Sequence, residues 1–240
     1  MWLPVTKRSK YAPGMFSSLT ETYIRSRLKI NGTIEQPLLL SDHVEDNSTN
    51  VHGEPLSSLP VQDNMALRPA AVLVPLLRQG QDWHLLYIRR TEMDDDMHSG
   101  QVAFPGGGAE DGEEPESAAL REAYEEIGLL PKNVSLMGRL SPLKTISAYV
   151  ITPVVGIIRY PYSLTPSPLE VSEVFTIPLT WLADGCNYEE RDVTFEISNA
   201  GRAYKNMIRV IYYMAYGGNT LWGASARITQ NLLEKLLTGL

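Results

Sequence analysis

Apolar and polar positions along this chain fall into short, sharply bounded blocks. Ala70-Ala71-Val72-Leu73-Val74-Pro75-Leu76-Leu77 is an unbroken apolar run with the composition of a strand buried on both faces. Gln79-Gly80-Gln81-Asp82 then supplies a turn, and residues 83–89 read as a second strand, so the two predict a hairpin. Pro115 suits a first helical position, where no backbone N–H is needed, and Gly128 suits the residue just past a helix end, where positive φ is common. A helix from about Pro115 to Ile127 follows, with Ala118, Ala119, Ala123 and Ile127 able to face a sheet. Downstream, residues 135–140, 149–158, 171–177, 193–197 and 207–216 are strand candidates. Residues 224–237 close the chain as an amphipathic helix with Ile228, Leu232 and Leu236 along one stripe.

The first part of the chain is less regular. Ser18 and Glu21 form a capping-box pair ahead of Leu19, Tyr23, Ile24 and Leu28, which predicts a short helix over 18–29. Residues 41–65 are rich in Ser, Asn, Asp and Pro and read as a polar linker or long loop. The expected organisation is an N-terminal extension, 1–65, followed by one folded domain, 66–240. Strands and a few helices in irregular order, without repeats, favour an α+β sandwich over alternating βαβ units.

Composition sets outer limits. With 240 residues and 43% hydrophobic content, the chain can bury one good core. A net charge of −7 argues against a general nucleic-acid binder, which needs a basic surface. The single cysteine, Cys186, allows no internal disulfide, so a cytoplasmic location is expected. No apolar signal region follows Lys7, Arg8 and Lys10, and the run at 70–77 is too short to span a membrane.

Chemistry concentrates between residues 107 and 129. Gly107 is followed by Glu113 and then by Arg121-Glu122-Ala123-Tyr124-Glu125-Glu126-Ile127-Gly128-Leu129. On a helix, Glu122, Glu125 and Glu126 stand at i, i+3 and i+4 and converge on one face. Three carboxylates this close repel one another, and solvent, basic neighbours or a hard cation can relieve them. Mg²⁺ takes oxygen ligands of this kind and leaves positions for phosphate. A solvated acidic face is the competing reading for the glutamates alone. At residue frequencies of a few per cent, the whole spaced pattern would arise by chance in roughly one window in 10^8, which favours the site.

The pattern resembles the signature of the Nudix hydrolases, which cleave a nucleoside diphosphate linked to another group. The resemblance implies a Nudix fold, an α/β/α sandwich around a mixed β-sheet. It makes Glu122, Glu125, Glu126 and the main-chain carbonyl of Gly106 ligands for Mg²⁺ or Mn²⁺. Arg121 would hold Glu122, and Glu113 would be an auxiliary carboxylate, so Glu113, Arg121, Glu122 and Glu125 form the expected catalytic set. The implied reaction is metal-assisted attack of water on phosphorus. The partner is a small nucleotide, with no nucleic acid and no membrane; a homodimer is left open.

Upstream, Leu85-Leu86-Tyr87-Ile88-Arg89-Arg90 and Gly100-Gln101-Val102-Ala103-Phe104-Pro105-Gly106-Gly107 resemble the coenzyme A pyrophosphatase branch of that family. Thr152-Pro153-Val154-Val155-Gly156, Glu170 to Phe175 and Trp222-Gly223-Ala224-Ser225-Ala226 do so too, extending the resemblance over about residues 68 to 238. It implies cleavage of coenzyme A or acyl-coenzyme A to 3′,5′-ADP and 4′-phosphopantetheine. Tyr87 and Arg90 depart from the branch, which has Thr and Ser there, and Asp94-Asp95-Asp96 stands where the branch has an arginine. Arg89, Arg90, Arg68 or Lys144 are candidates for the missing positive charge, and His98 for a phosphate contact. Glu170 and Glu173 compete with Glu122 and Glu125 as general base. The alternatives are another nucleoside diphosphate derivative, such as ADP-ribose, a nucleotide sugar or a dinucleotide, or a binding module on the same fold.

Overall fold

A computed structural model of the chain describes residues 16, 19–28, 38–39, 67–92, 100–145, 147–199 and 202–238. The 41–65 linker, the Asp94-Asp95-Asp96 loop and His98 lie outside them.

The apolar run becomes β2 (Arg68–Gln79), and β3 (Asp82–Arg90) returns antiparallel to it, with Leu76 opposite Leu85 and Gln79 opposite Asp82. Gly80 turns the hairpin at φ 62°. On its other side β2 runs parallel to β8 (Tyr149–Ile158), from Arg68 opposite Tyr149 to Leu76 opposite Ile157. Four strands sit around these three. β4 (Val102–Ala103) and β9 (Val171–Pro178) pair with β3, while β5 (Gly106–Gly108) pairs with β2 and β6 (Val134–Arg139) with β8. β1 (Leu38–Leu39) and β7 (Leu143–Lys144) extend the β8 side. The result is a mixed sheet, as expected for the α+β class.

Both faces of β2 are covered, which is why its sequence is continuous rather than alternating. Ala71, Leu73 and Leu77 pack under α2 (Pro115–Ile127) with Ala118, Ala119, Ala123 and Ile127. Val74 and Leu76 face the opposite core, built on Ile228, Leu232, Leu233 and Leu236 of α4 (Gly223–Leu237). The helix α2 has the predicted bounds, with Pro115 at its start and Gly128 at φ 67° as its C-cap. Tyr87, in place of the branch threonine, is fully buried and stacks on Phe104 with ring centroids 4.7 Å apart. The Thr229 hydroxyl donates to Ser225 O, so the Tyr87 hydroxyl donates to Thr229 Oγ1, 2.8 Å away.

The N-terminal helix α1 (Glu21–Arg27) is shorter than the predicted 18–29, and its N-cap is Thr20 rather than Ser18. Thr20 Oγ1 accepts the Tyr23 N–H at 3.1 Å, the bond a capping hydroxyl makes to the third helical residue. The helix belongs to the α4 core. Leu19, Ile24 and Leu28 are buried in it, the Tyr23 hydroxyl donates to Leu236 O, and Arg27 donates to Lys235 O and Thr238 O at the end of α4. Gly138, at φ 155°, lies against this segment so closely that a Cβ would stand 1.7 Å from Leu28 O.

After the short α3 (Leu179–Leu182), β10 (Tyr188–Asn199) and β11 (Arg202–Tyr213) form a separate antiparallel ribbon. Both strands begin earlier than the predicted 193–197 and 207–216; β10 ends later than predicted and β11 earlier. Charged residues 189–192 stay in strand because they are exposed and matched across it: Arg209 donates to Asp192 at 2.9 Å, and Arg191 lies over the Tyr212 ring. Among the described residues no helix is long and apolar enough to cross a membrane.

Candidate functional site

The site is assembled where the β5 edge meets α2. Gly106, Gly107 and Gly108 pair with Val72, Ala71 and Ala70, bringing a glycine backbone directly under the carboxylates of α2. The need for glycine is steric. A Cβ on Gly107 would meet Glu122 Oε2 at 2.5 Å, and one on Gly106, at φ 157°, would meet Ala71 O at 2.4 Å.

Arg121 organises the solvent side. Its Nε and Nη2 hold Glu113 in a two-point clamp at 3.0 and 2.9 Å, and Nη2 also donates to Gly108 O at 3.0 Å. Its Nη1 donates to Glu122 Oε1 at 2.8 Å and Glu125 Oε2 at 3.2 Å. The guanidinium therefore ties the loop, Glu113 and two glutamates into one unit. Glu113 also accepts the Glu110 N–H at 2.9 Å, and these bonds, Arg121 first, hold its carboxyl below the usual range. Glu113 first, and then Glu122, push the Arg121 guanidinium further toward its charged form.

Glu126 lies on the inner side and is only 3% exposed. Its Oε2 accepts the Gly106 N–H at 2.9 Å, and its Oε1 stands 3.6 Å from Arg90 Nη1. Burial is the largest influence on this carboxyl and, together with the charges of Glu122 and Glu170, raises it to about 7; Gly106 and Arg90 oppose that rise only in part. A buried carboxylate this poorly compensated is a hard-oxygen donor in need of positive charge.

Both ends of the carboxylate helix are pinned. Arg139 bonds Glu116 and Glu114 near its start, at 2.6 Å from Nε to Glu116 and 3.2 Å from Nη2 to Glu114. At its end, Thr165 N–H donates to Ile127 O and Ser167 N–H to Glu126 O, both at 2.8 Å, satisfying carbonyls that the helix leaves open. This second connection carries the 165–170 turn to the rim of the site, where Thr91 N–H donates to Glu170 O at 2.9 Å.

The fold thus brings Gly106, Glu113, Arg121, Glu122, Glu125, Glu126, Arg90 and Glu170 together. It separates three other candidates. Arg89 donates from Nε and Nη2 to Asn219 Oδ1, at 2.8 and 2.5 Å, and from Nη2 to Gly218 O. Glu173 accepts from Asn219 Nδ2 and lies 3.7 Å from Arg89 Nε, so it belongs to that cluster and not to the carboxylates. Lys144 stands on β7 opposite Val150, with β8 and β2 between it and Gly106. Among the described residues, no three His, Cys, Asp or Glu side chains are already drawn together as a metal cage. The arginines lie against the carboxylates instead. The sequence did not single out Asn219, Arg139 or the 165–170 turn, because each acts on a partner distant in the chain and carries no local pattern.

A family model described as "NUDIX domain" matches residues 67–183. The chain is 34% identical over 170 residues to an "Uncharacterized Nudix hydrolase NudL" of Photorhabdus laumondii, covering 70% of this chain and 85% of that protein. It is 36% identical over 166 residues to the protein of the same description from Escherichia coli K12, covering 69% and 81%. A solved structure of a MutT/nudix family protein from Enterococcus faecalis aligns with a TM-score of 0.45 at 16% identity, covering 72% of this chain and 63% of that one.

Proposed function

The chain belongs to the Nudix hydrolases, and from that premise we propose that it hydrolyses the diphosphate bond of coenzyme A or acyl-coenzyme A, releasing 3′,5′-ADP and 4′-phosphopantetheine. The observation that carries the reading is the junction of two motifs. The Phe104-Pro105-Gly106-Gly107 segment lies hydrogen-bonded to the carboxylate helix through Gly106 N–H and Glu126.

The residues fit Mg²⁺ or Mn²⁺. Glu122, Glu125, Glu126 and the Gly106 carbonyl are hard oxygen donors, and Gly107 leaves the space that Glu122 occupies. Bound there, the cation would offset charge on the diphosphate and make a bound water more acidic. The protein's own contribution is placement. Arg121, clamped on Glu113, holds Glu122 and Glu125 from one side, while Gly106 holds Glu126 from the other. Arg90 is the proposed basic contact for substrate; Arg89 would act indirectly, through Asn219, and Lys144, two strands away from Gly106, is given no role. Glu170 is the better general base of the two downstream candidates, because its charge is felt at Glu126 whereas Glu173 is engaged with Asn219. Its task would be to accept the proton from the attacking water.

A second reading keeps the reaction and changes the substrate to ADP-ribose, a nucleotide sugar or a dinucleotide. The engagement of Arg89, an arginine that matches the coenzyme A branch, by Asn219 favours it. Incubation with Mg²⁺ and coenzyme A, ADP-ribose, NADH, diadenosine polyphosphates and nucleotide sugars, with products resolved by chromatography, separates the two. Fastest release of 3′,5′-ADP from coenzyme A supports the first reading, and equal or faster cleavage of another compound refutes it. Glu125→Gln should abolish turnover in a folded protein; retained activity refutes the ligand assignment.

A further inference from the structure

Adjacent arginines on one strand have been given opposite destinations. In regular β-structure Arg89 and Arg90 would simply point to opposite faces. Here the β3–β9 register also shifts between them: Arg89 is opposite Glu173 and Arg90 opposite Val171, so Ser172 is the extra residue of a bulge. The Ser172 hydroxyl donates to the carbonyls of Arg89 and Arg90, at 3.2 and 3.4 Å, and Arg90 N–H donates to Gln101 O at 3.0 Å. The backbone that aims Arg90 is therefore fixed. Its side chain is 35% exposed and approaches Glu126 Oε1 at 3.6 Å, well beyond the roughly 2.7–2.9 Å of a charge-assisted hydrogen bond. It neighbours the carboxylate without clamping it, in contrast to Arg121 on Glu113.

A guanidinium in that position has two effects of opposite sign. It competes with a divalent cation for Glu126, since like charges repel across a half-buried site. It also places a donor for phosphate oxygens beside the cation's own carboxylate. We propose that Arg90 exchanges partners: it offsets part of the charge of Glu126 when no cation is held, and turns onto the diphosphate of the substrate when Glu126 ligates one. The inference rests on the proposed metal and diphosphate reading and adds a residue that the coenzyme A branch, with serine at this position, does not supply.

The exchange predicts a split that a structural role does not. In the full chain, Arg90→Gln should bind Mn²⁺ more tightly, by about tenfold, in calorimetric titration without nucleotide. With Mn²⁺ saturating, it should bind the non-hydrolysable α,β-methylene-ADP more weakly, also by about tenfold. Arg90→Lys, which keeps the charge and loses the fork, should leave Mn²⁺ binding near wild type and weaken the nucleotide by a smaller factor. Unchanged Mn²⁺ affinity in Arg90→Gln, or loss of both affinities together, overturns the exchange. If Arg90→Gln does not fold, the lysine variant decides: nucleotide binding equal to wild type overturns it. Failure of the wild-type protein to bind Mn²⁺ at all would overturn the metal reading beneath it, a result distinguishable from these.

Discussion

Glu126→Gln isolates the cost of the most buried acid in the site. Burial raises this carboxyl from an ordinary 4.5 to about 7 in the folded chain. The folded protein thus holds the Glu126 proton more tightly than the unfolded chain does. Stability from this group is fully present below pH 4.5, falls between 4.5 and 7, and is lost above the folded value. At about 1.4 kcal/mol per pH unit, ionised Glu126 costs about 3 kcal/mol above pH 7 without a bound cation. Glutamine has nearly the same shape, stays neutral and can still accept the Gly106 N–H. The loss of the pairing with Arg90 is already contained in that cost, because the folded value of about 7 includes the Arg90 charge. The variant should therefore be more stable than wild type by about 3 kcal/mol at pH 8, or roughly 6–12 °C in Tm, and equal to it near pH 4.5. Urea or thermal unfolding of both proteins in excess EDTA from pH 4.5 to 8 measures the difference. With Mn²⁺ the order should reverse, because binding stabilises only the wild type appreciably. A pH-independent gap, or a less stable glutamine variant at pH 8 in EDTA, would refute the account of Glu126 as a strained carboxylate.

Three further outcomes follow from contacts described above. Gly107→Ala places a Cβ 2.5 Å from Glu122 Oε2, so the carboxylate must move; kcat should fall by about 100-fold while circular dichroism is unchanged. Ile24→Ala should cost about 2–5 kcal/mol in urea unfolding, because α1 is part of the α4 core; an effect below about 0.5 kcal/mol would mean the helix is peripheral. Tyr87→Phe should cost only about 1 kcal/mol by the same measurement, since Thr229 keeps its bond to Ser225 O.

The strand and helix pattern was legible where periodicity is local. β2, α2 and β8 lie where their apolar runs and end residues put them, because Pro115, Gly128 and a doubly buried run act through their own backbone. The three glutamates of the 107–129 pattern were legible for the same reason: one helical turn is enough to make Glu122, Glu125 and Glu126 neighbours. The parallel pairing of β2 with β8, the incorporation of α1 into the α4 core and the short β5 were not readable, since each depends on contacts between segments far apart in sequence. The adjacent arginines show the limit most clearly. Sequence marked both Arg89 and Arg90 as basic candidates, and nothing local distinguishes them. Tertiary structure sends one to Asn219 and the other to Glu126, through strand alternation and a register shift at Ser172 on a strand some eighty residues later. Sequence alone pointed to the family, because the spaced pattern from Gly107 to Leu129 is a local object. The burial of Glu126 and its hold on a proton were decided only when the sheet brought Gly106, Arg90 and Glu170 around it, because desolvation and Coulomb interactions depend on distance in space and not on separation along the chain.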